Sequence, residues 1–127
     1  MGPKKDKEKE EAREAQVHNL YLELNKLNHG QDWEKALKVC NRILNVHPGD
    51  ATAFHCKIVC LVQLAKFEAV LEQVDLHEKV MAEVVGFEVC YSLYRLNRPL
   101  DALQRIQQIK DQDNNKVKEL KAQVLYR

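Results

Sequence analysis

Glycine and proline are scarce in this chain, four and three among 127 residues, and that leaves little material for the tight turns of a sheet protein. The four glycines, Gly2, Gly30, Gly49 and Gly86, stand alone, so no glycine-rich loop is present to cradle a phosphate. Long apolar runs are missing too. The longest, Ile58 to Leu64, is broken at Gln63 and far shorter than the roughly 20 residues a membrane span needs. Charge of one sign is absent: 20 basic and 19 acidic side chains leave a formal +1, which gives no electrostatic reason to expect nucleic acid or an anionic membrane as the main partner. The first residues are charged where a signal peptide would be apolar, and Asp6 stands where a myristoylation signal wants Ser or Thr. Cys40, Cys56, Cys60 and Cys90 form no Cys-x-x-Cys pair and read as reduced thiols of a cytoplasmic protein.

What is abundant is Leu, Lys, Glu, Ala and Gln, a composition that favours helix nearly everywhere. Three stretches then repeat a pattern: Asp32-Trp33-Glu34-Lys35-Ala36-Leu37, Lys66-Phe67-Glu68-Ala69-Val70-Leu71 and Arg98-Pro99-Leu100-Asp101-Ala102-Leu103. Ala36 and Val70 lie 34 residues apart, and Val70 and Ala102 lie 32 apart. A period of about 34 is the length of a tetratricopeptide repeat, a helix–turn–helix unit that stacks into a solenoid and presents a groove. The fold expected is therefore all-α, a tetratricopeptide solenoid of about three and a half repeats and seven helices.

Residues 1–16 carry five basic and five acidic side chains, and they read as a solvated lead-in, disordered or a frayed helix. From Val17 the apolar residues Leu20, Leu24 and Leu27 fall at helical spacing, and Gly30 is expected to cap that helix. Asp32 suits the N-cap of the next helix, the His47-Pro48-Gly49-Asp50 turn stops it, and Asp50 can cap the third. The repeat domain, 17–127, divides into units of about 17–50, 51–82, 83–114 and a half unit 115–127. Helices are expected near 51–64 and 67–80, then one from near Val84, one from Pro99 to about Asp111, and a last one from about Asn115. Pro99 fits the first turn of its helix, where a missing N–H costs nothing. Tyr94-Arg95 recurs as Tyr126-Arg127, so the last helix reads as the first half of a fourth repeat, as in a truncated chain.

Three segments go beyond the generic repeat: Ala51-Thr-Ala-Phe-His-Cys-Lys-Ile-Val-Cys-Leu-Val-Gln63, Tyr94-Arg-Leu-Asn-Arg98 followed by Ala102-Leu103, and Lys118-Glu-Leu-Lys-Ala-Gln-Val-Leu-Tyr-Arg127. Together they resemble the N-terminal repeat region of the family of the seventy-two-kilodalton subunit of the eukaryotic signal recognition particle, over about residues 17–127. The resemblance implies a cytoplasmic scaffold that binds the sixty-eight-kilodalton subunit through its groove, within the ribonucleoprotein that delivers ribosomes making secretory proteins to the endoplasmic reticulum. It implies contact with the particle's RNA only indirectly or through a lysine-rich region downstream of the repeats, and neither membrane insertion nor a small-molecule substrate.

In such repeats the first helices of successive units line the concave face. Counting from Val17, Ala51 and Glu83, positions two, five, nine and twelve place His18, Tyr21, Asn25 and Asn28, then Thr52, His55, Val59 and Val62, then Val84, Phe87, Tyr91 and Tyr94 on that face, with Arg95 beside them. From this set His18, Tyr21, Asn25, His55, Val59, Val62, Phe87, Tyr91, Tyr94 and Arg95 are taken as the candidate peptide-binding groove. Rings with polar tips and few Lys or Glu are the composition of a binding surface. Trp33 and Phe67, each opening a second helix, read instead as wedges between paired helices, Ala36 and Ala102 as the small side chains that allow close approach, and Val70 at that position as the mark of a slightly looser middle unit.

Catalysis finds no candidates. Cys56 and Cys60, four apart with His55 adjacent, offer two corners of a zinc tetrahedron but would need ligands such as Cys90 or His77 from other helices, and a buried small hydrophobe is the ordinary role of such a cysteine. Nothing marks an oxyanion hole or an activated thiol. No metal, cofactor or enzyme activity is therefore expected. The alternative within the binding class is a generic repeat adaptor or co-chaperone holding a peptide of another cytoplasmic partner. A carboxylate clamp of that kind is not built, because Asn25 fits but Tyr21, Cys56, Val84 and Glu88 occupy its other positions.

Overall fold

The computed structural model describes residues 3–77 and 85–126. Among them are seven α-helices and no strand: α1 (Pro3–His29), α2 (Trp33–Val46), α3 (Ala51–Gln63), α4 (Phe67–Asp75), α5 (Gly86–Arg95), α6 (Pro99–Ile106) and α7 (Asn115–Leu125). The all-α expectation holds, and the helices follow the helix–turn–helix order of a tetratricopeptide solenoid. No helix among the described residues is long and apolar enough to cross a membrane.

The chain forms two compact units, Met1–Cys60 and Leu61–Arg127. In the first, α1 packs on α2 around a core of Leu24, Ala36, Val39, Cys40, Ile43, Ala53 and Cys60, with Val17, Leu20, Leu27, Trp33 and Leu37 partly buried against it. In the second, α4 packs on α5, α5 on α6 and α6 on α7. The buried side chains there include Val70 and Val74 of α4, Val89, Cys90 and Leu93 of α5, Ala102 and Ile106 of α6, and Val117, Leu120 and Val124 of α7. The three anchors, Ala36, Val70 and Ala102, are each completely buried. Small or β-branched residues there let a helix lie close to its neighbour.

One backbone device recurs with the same period as the anchors. Gln31, Ala65 and Asn97 adopt left-handed conformations, with φ of 56°, 58° and 62°. In each turn the N–H of the left-handed residue bonds a carbonyl three residues back, as Gln31 to Asn28, Ala65 to Val62 and Asn97 to Tyr94. The following N–H reaches five back, as Asp32 to Leu27, Lys66 to Leu61 and Arg98 to Leu93. This pair of bonds is the Schellman motif, which satisfies helix-end carbonyls that would otherwise go unpaired. Each left-handed residue precedes its anchor by five positions, so turn and close contact repeat as one unit.

Gly30 follows the last residue of α1, as expected of a helix-ending residue, and its N–H bonds the Lys26 carbonyl at 3.0 Å. Gly30 does not supply the left-handed residue, because no glycine among the described residues has a positive φ and Gln31 takes that place. Other expectations about ends hold: the Asp32 carboxylate accepts from the Lys35 N–H, Asp50 accepts from Ala53, and Pro99 opens α6.

Two helices are shorter than the sequence pattern suggests. α4 ends at Asp75, and the rest of its expected span up to residue 80 falls partly outside the described residues. α6 ends at Ile106 rather than near Asp111, because the Gln112 amide donates to the carbonyls of Ile106 and Ile109 at 2.7 and 2.6 Å and so closes the helix end. The charged start, expected as a disordered or frayed-helix lead-in, is helix from Pro3 and continuous with α1. Its Lys, Glu, Ala and Arg are strong helix formers, and Lys4 with Glu8 and Lys7 with Glu11 have the i,i+4 spacing that supports an exposed helix.

Candidate protein-interaction site

α5 is built with two faces. Val89, Cys90, Ser92 and Leu93 point inward and are buried, and the Ser92 hydroxyl is satisfied by donating to the Glu88 carbonyl at 2.8 Å. The opposite side carries Phe87, Tyr91 and Arg95 at successive intervals of four, a single stripe along the helix. Phe87 and Tyr91 are half-buried and Arg95 is exposed. The Phe87 and Tyr91 rings stack with centroids 6.3 Å apart and planes 17° from parallel.

Phe67, at the start of α4, completes this group. Its ring meets Tyr91 edge-on, with centroids 6.0 Å apart and an interplanar angle of 69°. The Arg95 guanidinium lies over both rings, 5.0 Å from the Phe67 centroid and 5.7 Å from that of Tyr91. Its Nη1 also donates to the Tyr91 hydroxyl at 2.8 Å. Aromatic pairs of this kind are worth about 0.5–1.5 kcal/mol, and a cation over an exposed ring about 0.5–1 kcal/mol. The result is a patch in which one cation is held beside two rings and a hydroxyl. The sequence reading had Phe67 as a wedge only. It is 8% exposed and does pack, but it is also the floor of this patch.

The remaining candidates lie elsewhere. Tyr94 is half-buried one turn beyond Tyr91 on α5, and Val62 is half-buried on α3 within the second unit. In the first unit His18 and Asn25 are exposed on α1, while His55 and Val59 are half-buried on α3. Val84 falls outside the described residues.

Tyr21, assigned to the groove by register, is half-buried and carries a structural bond. Its hydroxyl donates to Asp50 Oδ1 at 2.6 Å. That oxygen also accepts from the Ala53 N–H at 3.0 Å, and Oδ2 lies 3.5 Å from His47 Nδ1. Burial alone would raise the Asp50 pKa, but the bonds from Tyr21, Ala53 and His47 outweigh it and hold the carboxyl below its usual range. Burial, then the bond to Asp50, pushes the Tyr21 phenol well above its own.

The cysteines offer no nucleophile. Cys40 and Cys60 are buried in the first unit's core, where a thiol–thiol hydrogen bond and burial push Cys40 strongly upward. Burial raises Cys56, and pushes Cys90 up to about 11. The thiol–thiol bond with Cys40 lowers the Cys60 thiol, which is buried in the core, while the three raised thiols stay protonated at neutral pH. Among the described residues no three His, Cys, Asp or Glu side chains are grouped to hold a metal ion. What the patch can do chemically is bind: it offers apolar ring area, a planar fork of N–H donors and a phenolic hydroxyl.

Comparison with known proteins found no matching family model. Curated relatives do match. The chain is 43% identical over 112 residues to signal recognition particle subunit SRP72 of Homo sapiens, and equally to that of Canis lupus familiaris. The chain belongs to the SRP72 family. It is also 36% identical over 111 residues to SRP72 of Schistosoma mansoni. These matches cover 87% of this chain but only 15–16% of each SRP72 relative, so the chain spans about a sixth of the length of the curated relatives it matches. The resemblance read from the three sequence segments is thus matched by likeness along most of the repeat region.

Proposed function

We propose that this chain is a protein-interaction scaffold of the signal recognition particle. It binds the sixty-eight-kilodalton subunit through the face formed by the first helices of its repeats, and serves co-translational targeting of secretory proteins to the endoplasmic reticulum from the cytoplasm. The observation that carries the reading is the match to SRP72 relatives along 87% of the chain. The Phe67–Phe87–Tyr91–Arg95 patch supports it physically. Large rings and arginine, preformed and partly exposed, are the residues that supply most of the energy at protein interfaces. Work of this kind is holding, not chemistry, which agrees with three of the four cysteines being buried and with a near-neutral charge. Contact with the particle's RNA, on this reading, passes through the partner or through other parts of the SRP72 protein.

The test is calorimetry of the purified chain against the purified sixty-eight-kilodalton subunit. Saturable one-to-one binding supports the proposal. Failure to bind at micromolar concentrations, with the chain shown to be helical and monomeric, overturns it.

A further inference from the structure

Among the described residues of the aromatic patch Arg95 carries the charge, and its guanidinium touches two rings and a hydroxyl. The Phe67 and Tyr91 ring centroids lie 5.0 and 5.7 Å from its Cζ, and its Nη1 donates to the Tyr91 hydroxyl. A guanidinium has five N–H donors in a flat fork, a shape that matches a carboxylate. Its neighbour on the next turn is already used: Arg98 Nε pairs with Asp101 Oδ2 at 2.9 Å, and among the described residues no carboxylate is paired with Arg95. The rings around it supply apolar area on the same surface, with Phe87 stacked on Tyr91. These contacts restrict the side chain before any partner arrives, so less rotamer freedom is lost on binding.

We propose that this patch recognises a peptide segment in which an aspartate or glutamate stands next to an aromatic or large aliphatic residue. The carboxylate takes the fork of Arg95, and the neighbouring apolar side chain lies on Phe87 and Tyr91. The inference rests on the reading of this face as a protein-binding one. A single-stranded RNA is the other ligand that stacks on rings beside an arginine, but tracking its backbone needs a row of cations. Here Arg95 is the only cation over the rings among the described residues, Arg98 is paired with Asp101, and the chain as a whole carries +1.

The experiment pairs two probes with three proteins: wild type, Arg95→Gln and Arg95→Lys. The probes are a displayed library of random peptides and the purified sixty-eight-kilodalton subunit. Arg95 is exposed, so both variants should keep the parent's circular dichroism spectrum and melting curve, and that is checked first. Wild type should select peptides enriched in an acidic residue beside an apolar one. Arg95→Gln should bind the selected peptides at least about tenfold more weakly, the loss expected for one charge-assisted contact. Arg95→Lys should fall between them, because it keeps the charge but not the fork. Selection of peptides without acidic enrichment, or equal affinity for wild type and Arg95→Gln, overturns the inference. So does binding of single-stranded polyuridylate that depends on Arg95. If the sixty-eight-kilodalton subunit binds wild type and Arg95→Gln equally well, this inference fails and the proposed function stands. If acidic peptides bind in an Arg95-dependent way but the subunit does not bind, the inference stands and the proposed partner fails.

Discussion

The Tyr21 hydroxyl and the Ala53 N–H converge on one oxygen of Asp50, at 2.6 and 3.0 Å. One carboxylate thereby caps the start of α3 and ties α1 to the turn that follows α2. Asp50 stands two residues after Pro48, in the turn that ends the first helix pair, so this contact sets where the next helix begins. A residue placed by register on a binding face turns out to hold the frame of that face.

Replacing Tyr21 with phenylalanine should therefore cost about 1 kcal/mol at neutral pH, the lower end for a bond to a charged acceptor because the site is only partly buried. Asp50→Ala should cost about 2 kcal/mol, since the cap is lost as well. The pH dependence has a definite sign. Asp50 is depressed in the folded state, so its stabilisation is complete above the ordinary aspartate range and is lost as pH falls through the depressed value. Tyr21 is raised, so its part is complete below the ordinary tyrosine range and fades only in strong alkali. Urea midpoints at neutral and acid pH for wild type and Asp50→Asn check this. An acid limb as steep in Asp50→Asn as in wild type would show that other carboxylates control it.

Ala65 is left-handed at φ 58° with a Cβ that this conformation does not favour. Glycine is at ease there, and the two flanking turns use Gln31 and Asn97 at the matching place. Ala65→Gly should stabilise the protein by about 0.5–1 kcal/mol, the strain relieved less the extra freedom of the unfolded chain. Gly30→Ala tests the same assignment from the other side. A Cβ at Gly30 meets only Lys26 and Leu27 carbonyl oxygens at 3.5 and 3.8 Å, ordinary contact distances, so the change should be tolerated. Thermal melts that show Gly30→Ala strongly destabilised would assign the left-handed place to Gly30.

Which features were legible follows from which ones sequence encodes locally. Ala36, Val70 and Ala102 were readable because close helix contact demands small or branched side chains at a fixed period, and all three are fully buried. Asp32, Asp50 and Pro99 were readable because caps and first turns select those residue types. The left-handed turns were not, because Gln31, Ala65 and Asn97 share no type and only their spacing betrays them. The end of α6 was hidden for a different reason: it depends on the Gln112 side chain reaching back six residues to Ile106. Of the candidate site, helical periodicity put Phe87, Tyr91 and Tyr94 on one face with Arg95 beside them, while the contact of Phe67 from another helix with Tyr91 and Arg95 required the folded chain.

The two rings that open second helices should differ in weight. Phe67 is 8% exposed and touches Tyr91 and Arg95, so Phe67→Ala should destabilise by about 3–4 kcal/mol. Trp33 is only half-buried against the first unit's core, so Trp33→Ala should cost about 2 kcal/mol despite the larger side chain. Chemical denaturation of both variants gives the comparison. A larger loss at Trp33 would mean its ring carries more of the packing than its exposure indicates.

Thiol chemistry gives an independent check on burial. Cys40, Cys60 and Cys90 are buried and Cys56 is half-buried. Ellman's reagent on the native protein should modify Cys56 first and slowly, since burial raises its pKa as well. The other three should react only as the protein opens, so their rates should rise with denaturant. Fast labelling of Cys90, whose thiol is pushed up to about 11, would contradict its placement on the inner face of α5.

The aromatic stripe supports the strongest statement about binding. Phe87→Ala with Tyr91→Ala removes both stacked rings and the hydroxyl that orients Arg95, while the buried face of α5, Val89, Cys90 and Leu93, is untouched. Affinity for the sixty-eight-kilodalton subunit should then fall by about 2–4 kcal/mol, as it does when clustered interface rings are truncated. Helicity should be retained, with a modest loss of stability because Tyr91 also packs on Phe67. Substitutions of Lys4, Lys7, Glu10 or Glu14 in the exposed start of α1 should change affinity little, since side chains there are fully solvated and screened by salt. Calorimetry well below the melting temperature separates these effects. Undiminished affinity in the double variant would place the partner on another surface, and a strong dependence on the α1 charges would point to that helix as the place.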